Sequence, residues 1–497
     1  CLERKNPLLT QRVLLIRITS SKVLADFSKQ KGFYATTHRK VQTQSREACY
    51  VTNSSNRKPS SQALQGVENP SRYKHQVTSR FESIDSETGE ITVSSVTDSV
   101  RESRRARFKL LDASASVLYG FYGKEPPIKA NGHEKRHRTC TCHRTRLSPT
   151  TQVLKSEQSK KAFFGGVMQC ASVWTCPLCA AKINERKASE MRVAFNQAPE
   201  LGLKAHLVTF TAPHTAGDQI DELSSKMREA LSSFWRERQI AKWKKERAVT
   251  GNIRAFEVRY GSNGWHPHFH LIVFSRDSIL EDTDRLLEKW QAVCVRAGLD
   301  KPNEYGLDIQ DGSKAGEYIC KFGSDGEVLE KADGQKVSWD AADEMTKGNS
   351  KTGRTGSLSP WDILRVVSET KDEAERKKYS GLFLFYARAM KGTSQLKWSR
   401  GLRKVFELEA EKSDEELLAE HEDKAKLLCH LSALEWSHLI KNKTRSVVLD
   451  LAETGGSEAV ARYLYNTIHK QKVGAASGDW FSVFYSEFMA RQSEPPE

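Results

Sequence analysis

The stretch "GSNGWHPHFHLIVF" (residues 261–274) places three alternating histidines at the start of an apolar run. Alternate residues of a β-strand point to the same face, so His266, His268 and His270 would lie together. The Gly-Ser-Asn-Gly sequence before them is typical of a hairpin turn, and residues 252–260 ("NIRAFEVRY") supply a partner strand. The stretch therefore predicts a β-hairpin that gathers imidazoles on one face.

Glu257 is the carboxylate that this hairpin would bring to the histidines. A two-residue loop at Ser262-Asn263 places Glu257 opposite His268, and moving the loop by one residue places it opposite His270. Cross-strand neighbours lie about 5 Å apart, so either register puts the carboxylate beside the pair. Two imidazoles and a carboxylate with open positions suit Mg²⁺ or Mn²⁺, which can polarise a phosphate oxygen. We therefore predict a divalent metal site formed by His268, His270 and Glu257.

The elements around the hairpin complete an α+β arrangement. Their order is β-α-β-β-α-β, which predicts an antiparallel sheet with helices on one face. Asp218 is placed to cap the first helix, and Gly298 to end the second. Besides the hairpin, the predicted elements are strands at 205–213 and 305–310 and helices at 218–245, 280–298 and 313–322.

Tyr318 and Lys321 lie in the last of these helices ("GEYICKF"). Residues three apart share a helical face, so the phenol and the ammonium group would lie side by side. A lysine there could hold a scissile phosphate or lower the pKa of the phenol. We predict that Tyr318 is a catalytic nucleophile and that Lys321 assists it.

Five of the ten cysteines cluster upstream of the sheet, around the C-x-x-C knuckle Cys176-Pro-Leu-Cys179. Four thiolates close a tetrahedral structural zinc site. We predict a Zn²⁺ site formed by Cys142, Cys170, Cys176 and Cys179, with Cys140 or His143 as substitutes. Such uneven spacing in a long chain is not typical of a disulfide framework, and it favours a reduced, cytoplasmic protein.

The composition of the 497-residue chain favours a polyanionic partner. There are 78 Lys and Arg against 63 Asp and Glu, a formal net charge of +15. A surplus of this size indicates nucleic acid before a membrane surface. No apolar stretch is long enough to cross a bilayer, and the basic N-terminus lacks a clear cleavage site, so we expect no membrane association and no signal peptide.

The chain divides by composition into five successive regions. In order, we expect a largely disordered basic, Ser/Thr-rich region at 1–100, a Cys-rich zinc-binding module at 101–200, a catalytic domain at 201–325, a polar insertion at 326–358 and a helical C-terminal region at 359–497.

The motifs taken together resemble those of a known superfamily. "HLVTFTAP", "GWHPHFHLIVF" and "GEYICKF" are similar, in this order, to the three motifs of HUH endonucleases, and most of all to those of plasmid rolling-circle replication initiators (Rep proteins). "CASVWTCPLCAAKI" and "FYARAMKGTSQLKWSRGL" resemble further segments of the same proteins. The likeness covers roughly residues 100–405, and several motifs in order are more specific than any one alone.

The resemblance implies an HUH-type catalytic sheet that nicks one strand of plasmid origin DNA. It implies a 5′-phosphotyrosine intermediate and a free 3′-OH that primes synthesis. His268 and His270 match the metal pair of the family and Tyr318 its nucleophile. Related initiators often have a tyrosine where this chain has Phe322, which cannot attack a phosphate.

Two further expectations come with the resemblance. Some relatives end replication with a carboxylate that activates water, for which Glu317, Asp325 and Asp308 are candidates. The chain has no G-x-x-x-x-G-K-[ST] loop, so we expect it to bind double- and single-stranded origin DNA and to depend on a separate host helicase and polymerase.

Other functions remain open at the level of sequence. A mobilisation relaxase or a single-strand transposase would use the same chemistry, and some transposases also carry a zinc module. A non-catalytic, zinc-containing regulator that binds nucleic acid is the alternative from a different class. The joint presence of His268, His270, Tyr318 and Lys321 favours an enzyme.

Overall fold

A computed structural model describes residues 94–130, 132–157, 159–312, 357–419, 425–469 and 480–493 of the chain. The expectation for residues 1–100 therefore lies almost wholly outside the described residues. The same is true of the predicted insertion at 326–358 and of the helix predicted at 313–322.

Eight strands are described. They are β1 (Thr151–Ser156), β2 (Ala162–Gly165), β3 (Lys204–Phe210), β4 (Val249–Gly261), β5 (Gly264–Ser275), β6 (Leu307–Asp311), β7 (Leu396–Trp398) and β8 (Ala425–Leu431).

Twelve α-helices are described with them. They are α1 (Ser94–Leu118), α2 (Pro177–Gln197), α3 (Ile220–Arg236), α4 (Arg238–Glu246), α5 (Thr283–Arg296), α6 (Pro360–Glu369), α7 (Glu373–Ala389), α8 (Leu402–Val405), α9 (Asp414–Ala419), α10 (Ala433–Lys441), α11 (Arg445–Leu464) and α12 (Trp480–Ser493).

The main sheet has five strands in the order β6-β3-β5-β4-β7, and every neighbouring pair is antiparallel. Its chain order is strand, two helices, hairpin, helix and strand, after which β7 adds to the edge beside β4. The α+β class and the antiparallel sheet are therefore confirmed. The strand at β7 was not predicted, because three residues carry too little pattern to be recognised.

The β4–β5 hairpin fixes the register of the sheet's centre. Gly261 pairs with Gly264, so the loop is Ser262-Asn263, and Glu257 lies opposite His268. Gly264 has a φ of +83°, and a Cβ added there would lie 2.9 Å from the Cα of Ala216. Only glycine meets both constraints, since other residues are strained at this φ and would clash with that backbone.

Both faces of the sheet are covered, so the prediction of helices on one face is wrong. One face packs against α3, α5 and α7, with Phe210, Phe234 and Trp290 in its core. The other packs against α2 and α8, where the ring of Phe274 lies 6.0 Å from Phe195 and 4.9 Å from Phe406. The apolar side chains alternate to both sides of the central strands, and each side needs a covering layer.

The helix predicted at 218–245 is divided in two at Glu237, whose ψ of 133° is extended. Asp218 does not cap it: the N-cap is Gln219, and the Asp218 carboxylate accepts hydrogen bonds from the backbone N–H (2.6 Å) and the hydroxyl (3.1 Å) of Thr215. This carboxylate therefore closes the preceding turn. The second predicted helix ends before Gly298, as expected, at a φ of +76°.

A second sheet, in the order β2-β1-β8, joins distant parts of the chain. β8 lies antiparallel to β1, and Thr150 Oγ1 lies 3.0 Å from His430 Nδ1 across 280 residues. The region after residue 359 is mostly helical, as predicted, but it contributes one strand to each sheet. Among the described residues, no helix is both long and apolar enough to cross a membrane.

Replacing Gly264 tests the hairpin constraint. We expect Gly264→Ala to lower the free energy of unfolding by about 1–3 kcal/mol, the usual cost of forcing a side chain into this backbone region. Urea denaturation of the purified protein measures the change. Gly261→Ala is the matched control, because its Cβ would meet only the Cβ of Ser357 at 3.7 Å. Equal losses for both variants would contradict the argument.

Candidate functional site

Glu257, His268 and His270 form a compact group on the sheet face that packs against α2. β4 supplies the carboxylate and β5 the two imidazoles, because Glu257 pairs with His268 and alternate residues share a face. All three side chains are buried, with exposed fractions of 5%, 7% and 8%. The strand pattern therefore brings together the three predicted metal ligands.

The ligand atoms of this triad converge on one point. His268 Nε2 lies 3.3 Å from Glu257 Oε2, and His270 Nε2 lies 3.6 Å from the same oxygen. All the ligand atoms lie within 4.8 Å of one another. Two neutral imidazole nitrogens and one carboxylate oxygen around a shared space fit a small divalent cation that keeps positions open for other ligands.

Hydrogen bonds behind the triad fix its rings. The Nδ1–H of His268 donates to the carbonyl oxygen of His266 at 3.2 Å, so Nε2 is the ring nitrogen that faces Glu257 and the shared space. His270 Nδ1 lies 3.1 Å from Thr209 Oγ1 on β3. Such contacts set the tautomer and orientation of metal-binding histidines. The sequence did not reveal Thr209, because its role depends on the pairing of β3 with β5.

The electrostatics of the triad favour the ionised carboxylate. Burial alone would raise the pKa of Glu257, but the charge of His268 and hydrogen bonds from both histidines hold this pKa well below its usual range. Arg259 adds a hydrogen bond from Nη1 to Glu257 Oε1 at 3.2 Å. Burial opposes charge on His268 as well, yet Glu257 raises the pKa of His268 above its ordinary value. The carboxylate is thus prepared as a ligand before any cation binds.

His266 shares the face of the other two histidines but does not join them. Its Nδ1 lies 3.2 Å from Nδ1 of His214, a residue in the loop after β3. Burial, with the charges of His268 and His214, lowers the pKa of His266 to about 3. His266 is therefore neutral at physiological pH and extends the row of imidazoles towards that loop.

The predicted zinc ligands also lie together. Cys142 Sγ lies 3.6 Å from the sulfurs of Cys176 and Cys179, and Cys170 Sγ lies 3.8 Å from that of Cys179. All four side chains are buried. Cys140 lies outside the group, since its thiol donates to the carbonyl of Ala115, and His143 packs at 6.2 Å against the ring of Phe108. The fold therefore brings together the four cysteines that the sequence analysis preferred, without either substitute.

The local backbone prepares these thiols to bind a cation. The N–H of Cys170 donates to Cys142 Sγ at 3.4 Å, and the N–H of Cys179 donates to Cys176 Sγ at 3.5 Å. Cys176 is the N-cap of α2, where helix N–H groups favour negative charge. Hydrogen bonds from Cys142, Cys176 and Cys179 lower the pKa of Cys170, whereas burial raises the pKa of Cys176 while no cation is bound. Four sulfurs at this spacing suit a tetrahedral ion.

Of the remaining candidate residues, some lie within the described parts of the chain and others lie outside them. Tyr318 and Lys321 lie outside the described residues, as do Phe322, Glu317 and Asp325. Asp308 is described: it is exposed and pairs with Thr209, which pairs in turn with His270, so all three share one face. Tyr305 is 77% exposed just before β6.

Comparisons with known proteins bear on this arrangement. The model of a family described as "Replication protein" matches residues 164–444, more than half of the chain. "Protein rep" of Streptomyces lividans is 26% identical over an alignment of 363 positions, which covers 59% of this chain and 76% of that protein. "Neomycin resistance protein" of Streptomyces cyanogenus is 30% identical over an alignment of 133 positions, which covers 22% of this chain and 30% of that protein. No solved structure matches the chain.

Proposed function

This chain belongs to the replication protein family, and on that basis we propose that it initiates plasmid rolling-circle replication by nicking one strand of the origin DNA. The observation that carries the proposal is the convergence of Glu257, His268 and His270 on one point of the sheet, with both Nδ1 atoms engaged behind it. This geometry supports an HUH-type nuclease and is more than a DNA-binding regulator would need.

The triad would hold Mg²⁺ or Mn²⁺. When bound, such an ion polarises a phosphate oxygen and so makes the phosphorus more open to attack. The protein's own contribution is to fix His268 and His270 through His266 and Thr209, and to keep Glu257 ionised. Arg259 lies behind the carboxylate and limits its movement.

Tyr318 is the proposed nucleophile. Its phenol oxygen would bond to the scissile phosphorus and lose its proton, while the bond to the 3′ oxygen breaks and that oxygen takes up a proton. The 5′-phosphate then stays on the protein, and the free 3′-OH primes synthesis. A phosphotyrosine conserves the energy of the phosphodiester, which attack by water would waste. Lys321 would bind the scissile phosphate or lower the pKa of the phenol.

The position of β6 supports this role for Tyr318. β6 is two strands away from β5, roughly 10 Å across the sheet. Its last residue, Asp311, pairs with His206, three residues along β3 from Thr209, which lies beside His270. The chain from Gly312 to Tyr318 can span at most roughly 20 Å. That reach is enough to bring the tyrosine to the triad.

Zn²⁺ in the four-cysteine group would have a structural role. Four thiolates fill a tetrahedral shell and leave no position for substrate. The group ties the loop at Cys142 to the start of α2, and α2 covers part of the sheet face that carries the triad. Unwinding and synthesis are left to a separate helicase and polymerase of the host.

The nucleophile is tested by Tyr318→Phe. We expect this variant to bind origin DNA and Mn²⁺ as the wild type does but to form no covalent adduct, since only the hydroxyl is lost. A labelled oligonucleotide carrying the nick site, followed by digestion and mass spectrometry, locates the modified peptide. Tyr305→Phe is the control and should react normally. An adduct on Tyr305 would show that Tyr305, and not Tyr318, is the nucleophile. DNA binding without any adduct would favour a non-catalytic regulator.

The metal site is tested by His268→Ala with His270→Ala, which should abolish nicking while DNA binding persists. Thr209→Val is the finer probe. We expect the Mn²⁺ needed for half-maximal cleavage to rise roughly 10- to 100-fold, as is typical when a hydrogen bond behind a metal ligand is lost. Thr211→Val should leave the titration unchanged, because Thr211 lies just beyond the end of β3 and its hydroxyl donates to the carbonyl of Tyr305. Full cleavage by the double alanine variant would contradict the assignment of His268 and His270 as metal ligands.

The zinc site is tested by elemental analysis of the purified protein. We expect about one zinc per chain in the wild type, because four thiolates make one closed site. The Cys176→Ser and Cys179→Ser double variant should lose it. Cys140→Ser should retain it, since that thiol lies outside the group. A folded wild type free of zinc would contradict the proposal.

A further inference from the structure

An exposed segment between α1 and the four-cysteine group carries an unusual surface. Residues 119–138, of which all but 131 are described, contain five Lys or Arg against two Glu. Two tyrosines lie at its start, and the side chain of Tyr119 is 63% exposed. Large aromatic side chains at the surface of a basic segment are typical of surfaces that bind nucleic acids.

The charges of this segment lie against its rings. The guanidinium carbon of Arg136 lies 3.7 Å from the ring centre of Tyr119, and Lys135 Nζ lies 5.6 Å from that of Tyr122. Lys391, which follows α7, lies 5.9 Å from the ring of Tyr122. We call Tyr119, Tyr122, Lys135, Arg136, Arg388 and Lys391 the tyrosine patch.

The positive charge of the patch is little neutralised. In the described parts of the chain, no carboxylate forms an ion pair with Lys135, Arg388 or Lys391, and only Arg136 has a partner, Glu134, at 3.1 Å. The basic helix α4 differs, since Lys242 lies 3.6 Å from Glu246. The patch is therefore the better match for phosphate groups.

The patch is held in place from two sides. Arg388 donates to the carbonyl of Phe121 at 2.8 Å, which ties the segment to α7. On the same helix, Tyr386 stacks on Trp265 with ring centres 6.2 Å apart, and Trp265 lies three residues before His268 on β5. Trp265 and His268 point to opposite faces of β5, so the patch is joined through α7 to the histidine-bearing strand on the sheet face opposite to the triad.

We propose that the tyrosine patch binds single-stranded origin DNA at a place separate from the triad, beyond the nicking site. Lys135 and Lys391 would contact phosphates, and an unpaired base would stack on the platform formed by Tyr119 and Arg136. Stacking on a ring needs a base that is free of its partner, which is why we infer a single strand and not a duplex. The inference rests on the proposed function, for which DNA is the substrate.

The test is fluorescence anisotropy with a labelled mixed-sequence single strand and a hairpin duplex over a range of salt concentrations. Tyr119→Leu should weaken binding of the single strand roughly tenfold and leave the duplex unchanged, as expected for one lost stacking contact. Replacing Lys135 and Lys391 by Glu should also reduce the salt slope by roughly 1.4, the value for two lost phosphate contacts.

Lys242→Glu with Lys245→Glu, on α4, is the control with the same change of charge. Equal losses of binding for this control and the patch variant would overturn the proposal, because they would show that DNA binding depends only on net charge. Equal losses on single strand and duplex for Tyr119→Leu would overturn it too. Cleavage by the wild type is measured separately, so a failure of the proposed nuclease function is distinguishable from a failure of the patch.

Discussion

The antiparallel pairing of Glu257 with His268 is the contact on which the candidate site depends. Side chains alternate across a strand, so a slip of one residue would turn the carboxylate to the opposite face of the sheet. The loop at Ser262-Asn263 and the close approach of Gly264 to Ala216 select one register. The same register decides which apolar residues of β5 meet α2 and which meet α3, so the core and the site share one constraint.

Much of this arrangement follows from local sequence. The hairpin, the sharing of one face by the histidines and the proximity of Glu257 depend on residues within twenty positions of one another, and the period of a strand suffices to predict them. The C-x-x-C knuckle similarly pointed to the thiols. Choosing Cys142 over Cys140 within the fold depends on which thiol faces inward, a matter of chain direction that spacing alone left open.

The rest depends on contacts that are remote in sequence. Thr209 supports His270 only because β3 lies beside β5, and α2 covers the second face only because the sheet is buried on both sides. Asp218 has the right residue type for a helix cap, yet its carboxylate accepts hydrogen bonds from Thr215 in the preceding turn instead. In each case tertiary packing selected among locally reasonable alternatives.

The pairing of β1 with β8 has a consequence for how the protein is made. Thr150 and His430 lie side by side but are 280 residues apart in the chain. At ribosomal speeds of about 5–20 residues per second, the β1–β2 hairpin would wait roughly 15–55 s for its third strand. During that interval one edge of β1 is open and the core behind it is incomplete. The hairpin next to the cysteine group is thus formed early in synthesis and completed late, when β8 has been made.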